Sequence, residues 1–184
     1  METNIRKSLR LKGYDYSQAG YYFVTLCVNN HRNLFGDIKG GKMALNDAGV
    51  MVQEVWDEIP KYYGGIGIDM FQIMPNHIHG IIIVGAGPCA CPNKEQGNQI
   101  GQPQGVAPTL LLGDIVGRFK SLTTMKYIDG VKNNNWAPFN KLFWQRNYYE
   151  HVIRNDNDLT HIREYITNNP MKWELDEYYR NDNS

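Results

Sequence analysis

Two histidines one residue apart, His77-Ile78-His79, form the sharpest chemical feature of this sequence. On a β-strand, positions i and i+2 point to one face and lie roughly 6.6–6.8 Å apart along the chain, so two imidazoles there can converge on one cation. Ile78, Ile81 and Ile83 give the segment the apolar character of a central strand, where polar rings need partners. A metal ion would satisfy both rings; the alternative is a pair of edge histidines making ordinary hydrogen bonds. A second set, His161, Tyr165 and Asn169, recurs at i+4 and so shares one helix face. A tyrosine hydroxyl can serve as a nucleophile and an amide oxygen as a metal ligand. The chain holds twelve tyrosines, so spacing alone does not single out Tyr165. Cys89 and Cys91 form a C-x-C pair without a second pair, which is weak evidence for zinc.

The elements that would position these groups follow from periodicity and punctuation. Tyr21–Val28 (YYFVTLCV) is a strand, with Tyr22, Val24, Leu26 and Val28 on one face. Asn46 is placed to cap a helix through Ile59 that Pro60 stops. Ile68–Met74 and His77–Val84 read as two strands joined by one turn, hence an antiparallel hairpin. A helix from Gly113 to about Tyr127 buries Ile115, Phe119 and Leu122, with Lys120 and Lys126 elsewhere on its surface. Phe143–Ile153 is β-prone and supplies a fourth strand. Asp156 or Asp158 then caps a helix over Leu159–Asn169, with Leu159, Ile162 and Ile166 as its buried stripe and Pro170 after it. The order β-α-β-β-α-β-α is a ferredoxin-like (RRM-like) α+β arrangement with one extra C-terminal helix.

The chain is 184 residues long, 42% hydrophobic and 21% charged, which suits one domain with a full core and excludes wholesale disorder. No run approaches the roughly 18 apolar residues of a membrane span, and the basic N-terminus lacks the apolar stretch of a secretory signal. Three cysteines fit a reducing compartment, so a cytoplasmic, nucleoid-associated location is expected. Formal net charge is zero, which argues against a generic polyanion binder, yet the charge is uneven. Residues 1–20 form a basic arm with Arg6, Lys7, Arg10 and Lys12, and residues 174–184 form an acidic tail. Residues 85–108 carry five Gly and four Pro and read as a flexible loop joining strand to helix.

The segments MPNHIHGIIIV, GRFKSLTT, FWQRNYYEHVIRN and HIREYITNNP, in that order, resemble the HUH single-tyrosine transposases, and within them the REP-associated tyrosine transposases. The likeness runs from about Arg6 to Met171. It implies that His77 and His79 bind a divalent cation, Mg²⁺ or Mn²⁺, that Tyr165 is the nucleophile, and that Asn169 is the assisting ligand. The mobile insertion-sequence branch usually has Gln at the last position, so Asn169 points to the REP-associated branch. The implied reaction is metal-dependent cleavage and joining of single-stranded DNA at palindromic hairpins through a 5′-phosphotyrosine. The rival readings are a mobile transposase of the same chemistry, a catalytically silent hairpin-binding protein, and a phosphodiesterase that uses water. No general base is assigned; a metal-bound water, the substrate phosphate and His161 are the candidates. DNA contacts are expected from the basic arm, from Lys120, Lys126, Arg146 and Arg154, and from stacking on Trp144, Tyr148 or Tyr149. The resemblance leaves monomer and homodimer both open.

Overall fold

The computed structural model describes residues 18–85 and 112–180. A four-stranded antiparallel sheet is built from β1 (Gly20–Cys27), β4 (Ile66–Ile73), β5 (His77–Val84) and β6 (Tyr149–Ile153) in the order β4-β5-β1-β6. With helices α1 (Asp47–Asp57) and α3 (Leu112–Asn133) this is the ferredoxin-like arrangement. Alternation along the strands divides the apolar side chains between two layers. Tyr22, Val24, Leu26, Ile78 and Ile82 face the main core, with Val52, Val55 and Trp56 of α1 and Ile115 and Phe119 of α3. Phe23, Ile81 and Ile153 point the other way and meet Ile166 of α4 (Asp156–Asn168) in a smaller cluster. The helix bearing Tyr165 therefore lies on the sheet face that carries His77 and His79.

Several boundaries depart from the sequence expectation. Pro60 does not end α1, which has already stopped at Glu58; it sits in the first turn of a short α2 (Ile59–Tyr62), where its missing N–H costs nothing. α3 continues beyond Tyr127 to Asn133. The cap of α4 is Asn155, whose side chain accepts from the Asp158 amide at 2.9 Å, so neither aspartate is the cap. The fourth strand is only five residues long. Trp144 still makes an isolated antiparallel bridge to Val28, but between it and Tyr149 the ladder is interrupted, where the Lys120 ammonium takes the carbonyls of Gln145, Arg146 and Asn147, at 2.9, 3.4 and 3.2 Å. A second hairpin, β2 (Gly36–Lys39) and β3 (Lys42–Leu45), turns at Gly40-Gly41, both with positive φ. That Gly-Gly pair is the turn signal from which it was legible. The basic arm, the Gly/Pro loop with Cys89 and Cys91, and the last four residues of the tail lie outside the described residues. Among the described residues no helix is long and apolar enough to cross a membrane.

Gly80, between His79 and Ile81, faces α1 rather than α4. A Cβ there would lie 2.5 Å from the Trp56 ring, so the indole packs directly on the strand backbone. Trp56 in turn stacks on Phe71 at 4.3 Å between centroids. Gly80→Ala is expected to cost about 1–3 kcal/mol through overpacking, lowering the melting temperature by roughly 3–10 °C in a scanning-calorimetry comparison.

Candidate metal centre and nucleophile

His77 and His79 are fully buried on β5, which has β1 on one side and β4 on the other. Thr25 and Cys27 of β1 lie opposite His79 and His77 in register. Each ring is oriented through its Nδ1 edge. The Asn76 amide donates to the carbonyls of His31 (3.0 Å) and Tyr178 (2.8 Å). Its oxygen therefore faces His77 and accepts from Nδ1–H at 2.9 Å, which leaves His77 Nε2 as a bare lone pair. On His79 the Asn169 Nδ2 donates to Nε2 at 3.2 Å, and Nδ1 lies 2.9 Å from the Thr25 hydroxyl. The two Nε2 atoms stand 3.0 Å apart.

Acceptors outnumber donors at this point. The Asn169 Oδ1 is buried with no hydrogen-bond partner, and an Asp176 carboxylate oxygen lies 3.9 Å from His77 Nε2. His77, His79 and Asp176 bring ligand atoms within 4.8 Å of one another. Two imidazole nitrogens with an amide and a carboxylate oxygen make a donor set that suits Mn²⁺ well and Mg²⁺ adequately. Burial pushes the His79 pKa down to about 3, and burial with the neighbouring His79 and His31 pushes His77 well below its ordinary value. Both rings are neutral, the form a metal requires.

Tyr165 and Asn169 lie one turn apart at the end of α4. The Tyr165 phenol is 49% exposed and its ring meets His79 at 5.2 Å and Phe23 at 6.0 Å. It opens into a hollow of about 440 Å³ shared with His161, Lys172, Asp176 and Glu177. Burial and the Asp176 charge hold its pKa above the usual phenol value, so the hydroxyl carries its proton at neutral pH.

Asp176 and Asn76 were assigned no part by the sequence reading. Asp176 falls in the acidic tail, but Trp173 and Tyr178 beside it are a signal of packing rather than solvation: Trp173 is buried, and Tyr178 stacks on His31 (5.4 Å) and lies tilted against His77 (4.8 Å). Of the expected DNA contacts, Arg6, Lys7, Arg10 and Lys12 are outside the described residues. Trp144 is buried, with its Nε1 donating to Thr123 at 2.8 Å, so it offers no stacking face. Lys120 is engaged by three carbonyls, and Lys126 is exposed on α3 across the sheet from the histidines. Arg146 and Arg154 are exposed on either side of β6, and Tyr149 on that strand is 45% exposed beside Phe23.

No protein-family profile matches the chain. It is 43% identical over 180 residues to an uncharacterized protein of Haemophilus influenzae, covering 95% of this chain and 93% of that one. The chain belongs to that protein's family. Among solved structures it is similar to a REP-associated tyrosine transposase bound to a REP hairpin, with a TM-score of 0.56 and 19% identity over 89% of this chain and 73% of that chain. The chain shares the fold of that tyrosine transposase.

Because both histidines are neutral when folded and ordinary when unfolded, the unfolded chain binds more protons below about pH 6.5. Stability of the metal-free protein is expected to fall as pH drops from there toward about 3, the value of His79. A His77→Gln/His79→Gln variant should show a shallower acid limb in chelator-treated denaturation curves; equal limbs would contradict the neutral pair.

Proposed function

We propose that the protein cleaves and rejoins single-stranded DNA beside a hairpin, using Tyr165 as nucleophile and a divalent cation at His77, His79 and Asn169. The observation that carries this reading is the placement of the Tyr165 phenol against His79, beside the bare His77 Nε2, the His79 Nε2 3.0 Å from it and the unpartnered Asn169 amide oxygen. Asp176 is a fourth candidate ligand. A cation held there would supply positive charge to the non-bridging oxygens of a scissile phosphate.

The chain's own residues divide the rest of the work. Tyr165 Oη attacks phosphorus in line, its proton leaves, and a 5′-phosphotyrosine forms as the 3′-oxygen departs. The phosphodiester energy is retained, so a second 3′-hydroxyl can reverse the step without a nucleotide cofactor. His161, exposed in the same hollow one turn before Tyr165, is placed to receive the proton. Asn76 and Thr25 meet the imidazoles at Nδ1, so that the two Nε2 atoms are turned toward each other. The acidic side chains around Tyr165 would repel a bare phosphate, which supports a cation as a condition of productive binding. Arg146 and Arg154 supply backbone contacts and Tyr149 a stacking face. A REP-like palindrome is the proposed hairpin, after the neighbour whose structure holds one.

Labelled hairpin DNA incubated with Mn²⁺ or chelator and resolved on a denaturing gel tests the reading. A metal-dependent protein–DNA adduct should form, vanish in Tyr165→Phe with hairpin binding retained, and be lost in His77→Ala and His79→Ala. An adduct in Tyr165→Phe would show another nucleophile. Strand cleavage without an adduct would indicate attack by water, and tight binding with no cleavage a silent hairpin binder. Asn76→Ala should weaken Mn²⁺ binding by roughly 10–100-fold in calorimetric titration, the usual effect of removing a group that orients a ligand.

A further inference from the structure

β4 loses register with β5 between Ile68 and Phe71. On either side of this bulge the strand keeps its main-core face: Ile68 packs there, and so does Phe71 under Trp56. The extra residue allows both Asp69 and Met70 to face α4. Met70 packs in the small cluster with Leu159 and Ile162, and the Asp69 carboxylate takes a two-pronged hydrogen bond from Arg163, with Nε donating to Oδ1 at 3.2 Å and Nη2 to Oδ2. Arg163 lies two residues before Tyr165, and so on a different side of the helix. Among the described residues of α4 only Ile166 is fully buried, with Leu159 and Ile162 half-buried in the same cluster, so the apolar contact is one narrow stripe that a polar restraint supplements. A planar fork on a carboxylate is directional and lies off that axis, which makes it a suitable restraint.

We propose that Asp69 and Arg163 are positioning residues that fix the roll of α4 and so keep the Tyr165 hydroxyl aligned over the His77–His79 centre. A tyrosine hydroxyl lies roughly 8 Å from its helix axis, so a roll of about 20° moves it by roughly 3 Å. Misplacement of about 1 Å already suffices to cost on the order of 100-fold in rate. The inference rests on Tyr165 being the nucleophile, and its test separates the two claims.

Wild type, Asp69→Ala, Arg163→Ala, Arg163→Lys and the exchanged pair Asp69→Arg/Arg163→Asp are compared as full-length folded proteins. Two quantities are read: single-turnover adduct formation with Mn²⁺ and the Tyr165 resonance in 3-fluorotyrosine-labelled protein, assigned with Tyr165→Phe. The alanine variants should lose about 10–100-fold in rate, with hairpin Kd changed by less than about twofold and the resonance displaced or broadened. The exchanged pair should recover both readouts, and Arg163→Lys, which keeps the charge without the fork, should fall between. Should an alanine variant fail to fold, Arg163→Lys and the exchanged pair decide. Rates within about twofold of wild type, or a rate lost with the resonance unmoved, would overturn the proposal. If wild type forms no adduct, the nucleophile assignment fails, and the resonance alone decides whether the pair positions Tyr165.

Discussion

The geometry of the centre depends on one buried contact, two imidazole nitrogens 3.0 Å apart on the same strand face. A single neutral histidine inside a sheet needs only two ordinary partners. Two of them, with His77 Nε2 bare and His79 Nε2 met by one N–H of Asn169, crowd acceptors together, an arrangement that favours something positive beside them. Protonation is opposed by burial, which holds His79 down to about 3. The surrounding structure then reads as the set of restraints that keep this pair from relaxing: Asn76 locked by two carbonyls, Thr25 in register across β1, and Asn169 brought in from the next layer. Removing any one would allow a ring to turn and find a conventional partner.

The sheet's two faces separate stability from chemistry. Ile78, Ile82 and the bare backbone of Gly80 serve the main core, while His77, His79 and Ile81 look toward α4. Alternation alone achieves this on β5. On β4 it does not: Phe71 is needed under Trp56 and Asp69 is needed on Arg163, and a regular strand would place Phe71 and Ile68 on opposite faces. The bulge resolves that conflict by adding a residue. The larger core is thereby kept intact while the second face receives a polar anchor for the helix that bears Tyr165.

Much of this was legible in the sequence. His77–Val84 was bounded as the structure has it, because eight residues combine β-branched density with a Pro-Asn start and a Gly stop. Asn46 was readable as a cap from its place before a helical apolar period. Errors arose where a distant side chain overrides local preference. Residues 143–148 are aromatic and β-prone, yet beyond the Val28–Trp144 bridge a lysine more than twenty positions away takes the carbonyls of Gln145, Arg146 and Asn147. Trp144 was weighed as a stacking platform and is core, since an isolated aromatic carries no mark of which side it faces. Asp176 escaped because ligand spacing across a chain reversal has no sequence period; only the aromatic density around it hinted at a packed segment.

Charge placement links the tail to the centre. Asp176 and Glu177 bring negative charge to the hollow, Asp176 within 3.9 Å of the neutral His77, and burial together with Glu177 raises the Asp176 carboxyl above its ordinary range. A carboxylate held this way is a better partner for a metal ion than for water. Tyr178, stacked on His31 and tilted against His77 while its carbonyl accepts from Asn76 and its N–H donates to Asp176, ties that carboxylate to the same amide that sets the His77 tautomer. A shift of the tail would therefore act on the centre twice, by withdrawing an anion and by freeing the group that orients a ligand. The described part of the acidic tail, residues 174–180, is the fourth wall of the site.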